Sequence, residues 1–253
     1  MADALTHSAT MVGRSVRLSS RNPDAVITAL ALPVLLMLVF VYLFGGAIDT
    51  GGAWRYVDYV APGVLVLCAG FGAGTTAMSV ADDMKGAVID RFRSLDVGGT
   101  AVLTGHVAAS VVRNLAATVL VFAVAFAIGF RPDAGPGGWL ASAGILLAVI
   151  TAISWLAAAV GLLANSPEAA GGFTFFLAFL PYPSSAFVPV DSMPGWLHGF
   201  AEHQPLTPVI ESLRKLLLGQ PAGSSPWEAL AWCAALTVGS MAAAAVLFRR
   251  RMT

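Results

Sequence analysis

Apolar residues run through this chain in long unbroken stretches. They show neither the three-to-four spacing of a surface helix nor the alternation of a half-buried strand. Six stretches approach or exceed about 20 residues, the length a helix needs to cross the hydrocarbon of a bilayer. They are Val26–Phe44, Asp58–Val80, Val107–Gly129, Trp139–Ala164, Ala169–Val190 and Ala229–Phe248. The first, fourth, fifth and sixth carry no charged residue, and prolines blur the far end of the fifth. A segment in lipid must satisfy its backbone internally, so these stretches predict helices. The ten-residue alternation of an outer-membrane barrel is absent. The expected fold is an all-α integral membrane domain over residues 1–253, with six transmembrane helices and no internal domain break.

Composition agrees. Hydrophobic residues make up 57% of the chain and charged residues 11%, against about 25% charged in a soluble domain. The formal net charge is +0, which gives no reason to invoke nucleic acid. Cys68 and Cys233 lie in apolar stretches and read as small buried hydrophobes. Residues 1–25 lack the apolar region of a cleavable signal, so the first stretch is expected to remain as a span.

Positive charge sets the expected orientation. Arg14, Arg17 and Arg21 precede the first span, Lys85, Arg91 and Arg93 follow the second, and Arg249, Arg250 and Arg251 follow the sixth. With six spans these regions share one side, predicted to be cytoplasmic along with both termini. Arg55, Arg131, Arg214 and Lys215 fall on the other side.

Three segments between or beside the spans carry patterns of their own. Residues 4–22 predict a basic amphipathic helix lying in the headgroups, stopped by Asn22-Pro23-Asp24. Residues 82–96 place Val88, Phe92 and Leu95 on one helical stripe, with Asp90, Arg91 and Arg93 around it. Such a helix lies on the membrane or buries its stripe in a partner's groove, its charges fixing register. Residues 191–218 predict an outer hairpin punctuated by Pro194, Pro205 and Pro208. Trp196, Leu197 and Phe200 form one apolar face of it, and Ile210, Leu213, Leu217 and Leu218 another. Arg214 and Lys215 are expected to reach the headgroups. The hairpin is either an interfacial anchor or a re-entrant pair closing the outer end of a pathway.

Inside the spans, Phe173, Phe175, Phe176 and Phe179 give the fifth an aromatic stripe. Packing explains such a stripe, and so does an apolar lining for a lipophilic substrate. Gly70-Phe-Gly-Ala-Gly74 on the second span permits close helix approach. Arg113 lies about two turns into the third span, a depth from which arginine snorkels to the interface. The competing reading is a functional intramembrane charge. Asn165-Ser166-Pro167-Glu168 reads as a helix start.

Several of these marks together resemble the ABC transporter type-2 permeases. They are Met193-Pro-Gly-Trp-Leu197, the Pro205 and Pro208 spacing, and Asp90-Arg-Phe-Arg-Ser-Leu95 followed by Val102-Leu-Thr-Gly105. The Arg21-Asn-Pro23 turn before the first span and the six-span layout add to them. The resemblance covers essentially the whole chain and is nearest to the daunorubicin-resistance type of drug or lipid exporter. It implies that Asp90, Arg91, Phe92, Arg93 and Leu95 form a coupling helix that docks on an ATPase. His106 stands where the family often has a basic residue. It implies that Arg14, Arg17 and Arg21 lie on a connecting helix, and that Met193, Pro194, Trp196, Leu197, Phe200 and Pro205 belong to an outer gate. It further implies that the second and fifth spans enclose the path across a dimer, with Phe71, Met78, Phe173, Phe176 and Phe179 lining it.

The implied partners are two ABC ATPase subunits, a second permease copy (identical or a sibling) and membrane lipid, in a bacterial cytoplasmic membrane. ATP and Mg would sit on the partner. This chain has no G-x-x-x-x-G-K-[ST] loop, and His7, His106, His198 and His203 are scattered, so no cofactor or catalysis is expected of it. The runner-up substrate class is a polysaccharide or polyol. A non-transporting scaffold or sensor and a lipid-acting membrane enzyme are the readings from other classes.

Overall fold

The structure is a computed structural model that describes residues 23–48, 54–85 and 99–252. The chain is helical wherever it is regular, with no strand among the described residues. Helix α1 spans Pro23–Val39 and continues as a π-helical turn, Phe40–Phe44. Helix α2 is Tyr56–Lys85, α3 Gly99–Ala127, α4 Pro136–Leu163 and α5 Pro167–Phe179. After a 3-10 turn at Val190–Ser192 come α6, Gly195–His203, α7, Leu206–Leu217, and α8, Ser225–Met252.

Among the described residues, four helices are long and apolar enough to cross a membrane: Tyr56–Lys85, Val102–Ala127, Pro136–Leu163 and Ser225–Arg250. They match the second, third, fourth and sixth expected spans. The chain is therefore a multi-pass membrane protein. Within the first expected span, Ala31–Phe44 is a shorter apolar helix.

The fifth segment differs from expectation. Its helix stops at Phe179 instead of running to Val190. Pro181 has no N–H to give the Leu177 carbonyl, which accepts instead from the Leu180 N–H at 3.2 Å. Pro183 then biases Tyr182 away from helix, and residues 180–187 form a chain of turns. The start of α5 is as the sequence reads. Ser166 is the N-cap, its hydroxyl accepting from the Ala169 N–H at 3.0 Å, and Pro167 follows in the first turn.

Helix α2 is the most enclosed span. It packs against α5, α4 and α3, while α8 lies along α4 with most of its surface open. Met37 of α1, Val60 and Leu67 of α2, Phe130, and Ile210 and Leu213 of α7 share one apolar core. A second core joins Met84, Leu103, Leu162 and Phe248 at the other end of the bundle.

The charges sort by end. Arg55 donates to the Gly129 carbonyl, the Arg131 N–H to Asp58 at 3.0 Å, and the Asp133 N–H to the Leu217 carbonyl at 3.0 Å. These contacts gather Arg55, Arg131 and α7 at the end that the charge bias assigns to the outside. Lys85 lies at the opposite end, where Phe248, next to Arg249, packs with Met84.

Helices α3 and α7 close in the same way at the outer end. The Phe130 N–H reaches the Ala125 carbonyl at 2.8 Å, and the Gln220 N–H reaches the Lys215 carbonyl at 2.8 Å. Gly129, at φ +104, and Gly219, at φ +65, supply the left-handed residue that this cap requires.

Candidate functional site

The glycine run of α2 is a packing surface. A Cβ at Gly70 would lie 3.2 Å from Ala178 Cα on α5, and one at Gly74 would lie 3.4 Å from Thr174 Oγ1. On the turns beyond α5, a Cβ at Gly63 would meet Ala186 Cβ at 2.7 Å. Small residues thus bring the backbones of α2, α5 and the 180–187 turns together. Close approach accounts for these glycines without a ligand.

The residues expected to line a path divide around this seam. Phe71 is partly buried against the core, whereas Met78 is exposed beside Gly171, whose Cβ position lies 3.2 Å from its sulfur. Phe173, Phe176 and Phe179 project outward from α5, Phe176 with 74% of its surface open. Buried Ala170, Thr174 and Ala178 form the opposite face, against α2. Met78 and the α5 aromatics are thus left open on the outside of the chain.

Helices α6 and α7 follow one another as two short helices, with Pro194 and Pro205 as their N-cap residues. Met193 is buried and Leu197 half-buried, while Trp196 is 82% exposed and Phe200 also faces outward. Ile210, Leu213 and Leu217 are buried in the core.

Arg214 departs from expectation. It was expected to reach the headgroups, but it is buried at 2% exposure. Its Nε donates to the Tyr59 carbonyl at 3.1 Å, and Nη2 donates to the Ser185 carbonyl. Nη1 pairs with Glu211, and the guanidinium carbon lies 3.7 Å above the Tyr59 ring centroid. Beside it, the Tyr56 hydroxyl donates to the Phe187 carbonyl at 2.8 Å. Lys215 bonds Ser225 at 3.2 Å instead.

Arg113 also departs from the snorkelling reading. Its Nη2 donates to Thr76 Oγ1 at 2.8 Å. Thr76 bonds Ser110 at 2.7 Å, and Ser154 bonds the same Ser110 hydroxyl at 2.9 Å. Asn114 Nδ2 donates to the Ser110 carbonyl at 3.0 Å. The result is a buried polar knot tying α2, α3 and α4. Ser110, Arg113 and Asn114 share one face of α3 at i, i+3 and i+4, the local signal of the knot, whereas Thr76 and Ser154 come singly from α2 and α4.

Asp90, Arg91, Phe92, Arg93 and Leu95 lie outside the described residues, as do Arg14, Arg17 and Arg21. The ends flanking the 86–98 segment are described. Asp83 of α2 pairs with His106 of α3, at 2.9 Å between Oδ2 and Nε2. This pair ties together the helices that lead into and out of the segment.

A family model described as "ABC-2 type transporter" matches residues 6–218. The daunorubicin resistance ABC transporter permease protein DrrB1 of Streptomyces coeruleorubidus is 30% identical over 222 residues, covering 86% of this chain and 77% of that protein. The probable doxorubicin resistance ABC transporter permease protein DrrC of Mycobacterium tuberculosis is 25% identical over 240 residues, covering 92% of this chain and 85% of its own.

Proposed function

The chain belongs to the ABC-2 type transporter family and is a permease subunit of the membrane; on that footing we propose that it is half of an ATP-driven exporter of amphiphilic, drug-like or lipid-like molecules. The similarity to a relative named for daunorubicin resistance carries this reading. The open aromatic face of α5 beside Met78 offers an apolar cargo or a second permease copy a surface to pack on in place of lipid.

In this reading two permease copies form six spans each around a shared path, and two separate ATPase subunits dock beneath. Asp90, Arg91, Phe92, Arg93 and Leu95 form the docking helix, and Arg14, Arg17 and Arg21 belong to the N-terminal connecting helix. ATP must favour one conformation over the other for transport to result. The α6–α7 hairpin closes the outer end in the inward-facing state.

The test is co-expression with the neighbouring genes and purification in mild detergent. A subunit bearing a Walker-A loop should come along, and Phe92→Asp should lose it. A chain that purifies alone would sink the exporter reading in favour of a scaffold or sensor. Vesicles that move a polyol or polysaccharide, and not daunorubicin, would shift the cargo to that class.

A further inference from the structure

Helix α2 runs from the end that holds α7 to the end that leads into residues 86–98. At 30 residues it is about 45 Å long. One end, at Lys85, leads into that segment. The other holds Tyr56 and Tyr59 against α7 and the turns after α5.

We propose that Arg214 is a positioning residue that makes the outer hairpin move with α2, so that a displacement begun at the ATPase side reaches the outer gate. The proposal rests on the exporter reading above.

Arg214 is 155 residues from Tyr59 in sequence, yet its guanidinium joins three elements at once. One nitrogen donates to α2 at Tyr59, one to the 180–187 turns at Ser185, and one pairs with Glu211 on α7 itself. The planar fork holds its donors in fixed directions, so all three acceptors are addressed by one rotamer. The Tyr59 ring covers its face at 3.7 Å.

Glu211 would travel with α7, but separating α7 from α2 and the turns would strip a buried guanidinium of both carbonyl acceptors and of the Tyr59 ring, and buried donors left without acceptors are costly. Contacts beside it act in the same sense. Tyr56 holds the Phe187 carbonyl, and at Gly63 the turn backbone sits against α2 too closely for a side chain. A closely packed joint of this kind moves as a block. The outer opening therefore forms at the edge of the α2–turn–α7 block, and the hairpin does not lift off α2.

The experiment uses the full chain with its ATPase in proteoliposomes, with daunorubicin as the probe. Transport and ATP hydrolysis are measured on the same vesicles, and backbone hydrogen exchange on the same preparations. Arg214→Met should lower drug moved per ATP hydrolysed about tenfold, the scale of a coupling between two sites. The ATPase should still co-purify in the same ratio. Exchange should rise in residues 184–187 and 206–217 and stay unchanged in α3, α4 and α8. Arg214→Lys keeps the charge without the fork and should fall between the two.

Should Arg214→Met fail to fold, Glu211→Gln, at a half-exposed site, should give the same pattern severalfold weaker. An unchanged ratio of transport to hydrolysis in a folded Arg214→Met complex would overturn the proposal, as would an equal loss of both. Wild-type vesicles that hydrolyse ATP without moving drug would sink the drug-cargo reading instead. The exchange pattern would then still decide whether Arg214 holds the hairpin on α2.

Discussion

Asn114 on α3 occupies the space that a side chain on Gly72 of α2 would need. A Cβ at Gly72 would fall 2.0 Å from Asn114 Oδ1 and 2.7 Å from its Cγ. Asn114 is itself held by Ser110, at 3.0 Å to the carbonyl, so it has little room to retreat. Gly72→Ala should therefore destabilise the protein by about 1–3 kcal/mol, the usual cost of overpacking. Thermal unfolding in detergent measures it. On an Asn114→Ala background the same change should be close to neutral, because neighbours that share a site are not additive. An unaltered melting temperature in the single variant would refute the packing account.

The start of α5 depends on two polar side chains. Ser166 accepts from the Ala169 N–H, and Ser166→Ala should cost about 1 kcal/mol. Glu168 lies in the same first turn, and its carboxyl is held below the ordinary carboxylate range by its own backbone N–H and then by Ser166. A group with a depressed folded value contributes stability above its unfolded value and loses it as pH falls through the folded one. Glu168→Gln should therefore lower the melting temperature slightly at neutral pH and leave the acid end nearly unchanged, so that the acid limb of the profile flattens. An acid limb identical to wild type would exclude Glu168 as its source.

The two faces of α5 should respond in opposite ways. Phe176→Ala removes an outward ring and should leave the melting temperature of the isolated chain unchanged while altering, on the exporter function proposed above, efflux of a drug-like probe severalfold. Ala178→Leu adds bulk against Gly70 and should lower stability by about 1–3 kcal/mol. Paired melting and efflux assays separate them. A large stability loss in Phe176→Ala would mean that the open face packs inside the chain.

Tyr56→Phe keeps the ring that stacks near Tyr59 and removes only the hydroxyl bonded to the Phe187 carbonyl. Leaving that buried carbonyl without its donor should cost about 1–3 kcal/mol. The loss should appear as faster hydrogen exchange around residues 184–187. Exchange unchanged there would show that Gly63 and Arg214 hold the turns without it.

The family was legible from local words such as Met193-Pro-Gly-Trp-Leu197 and Arg91-Phe-Arg-Ser-Leu95, which need no tertiary context. The spans centred on α2, α3, α4 and α8 were legible because lipid admits only long apolar runs with internally bonded backbones. The Ser166 start of α5 was legible because capping is a contact between near neighbours. Its early end at Phe179 was written in Pro181 and Pro183, though hydrophobicity alone carried the expected span on to Val190.

Tertiary structure decided the fate of the charges. Nothing near Arg214 in sequence shows that Tyr59 and Ser185 stand ready with carbonyls, because those partners come from α2 and from beyond α5. Arg113 turns inward for a hydroxyl 37 residues away on another helix. Hydropathy is a property of one segment, so the sequence by itself determined which segments enter the membrane. Satisfying a buried polar group depends on which segments meet, and only the packed bundle settled that.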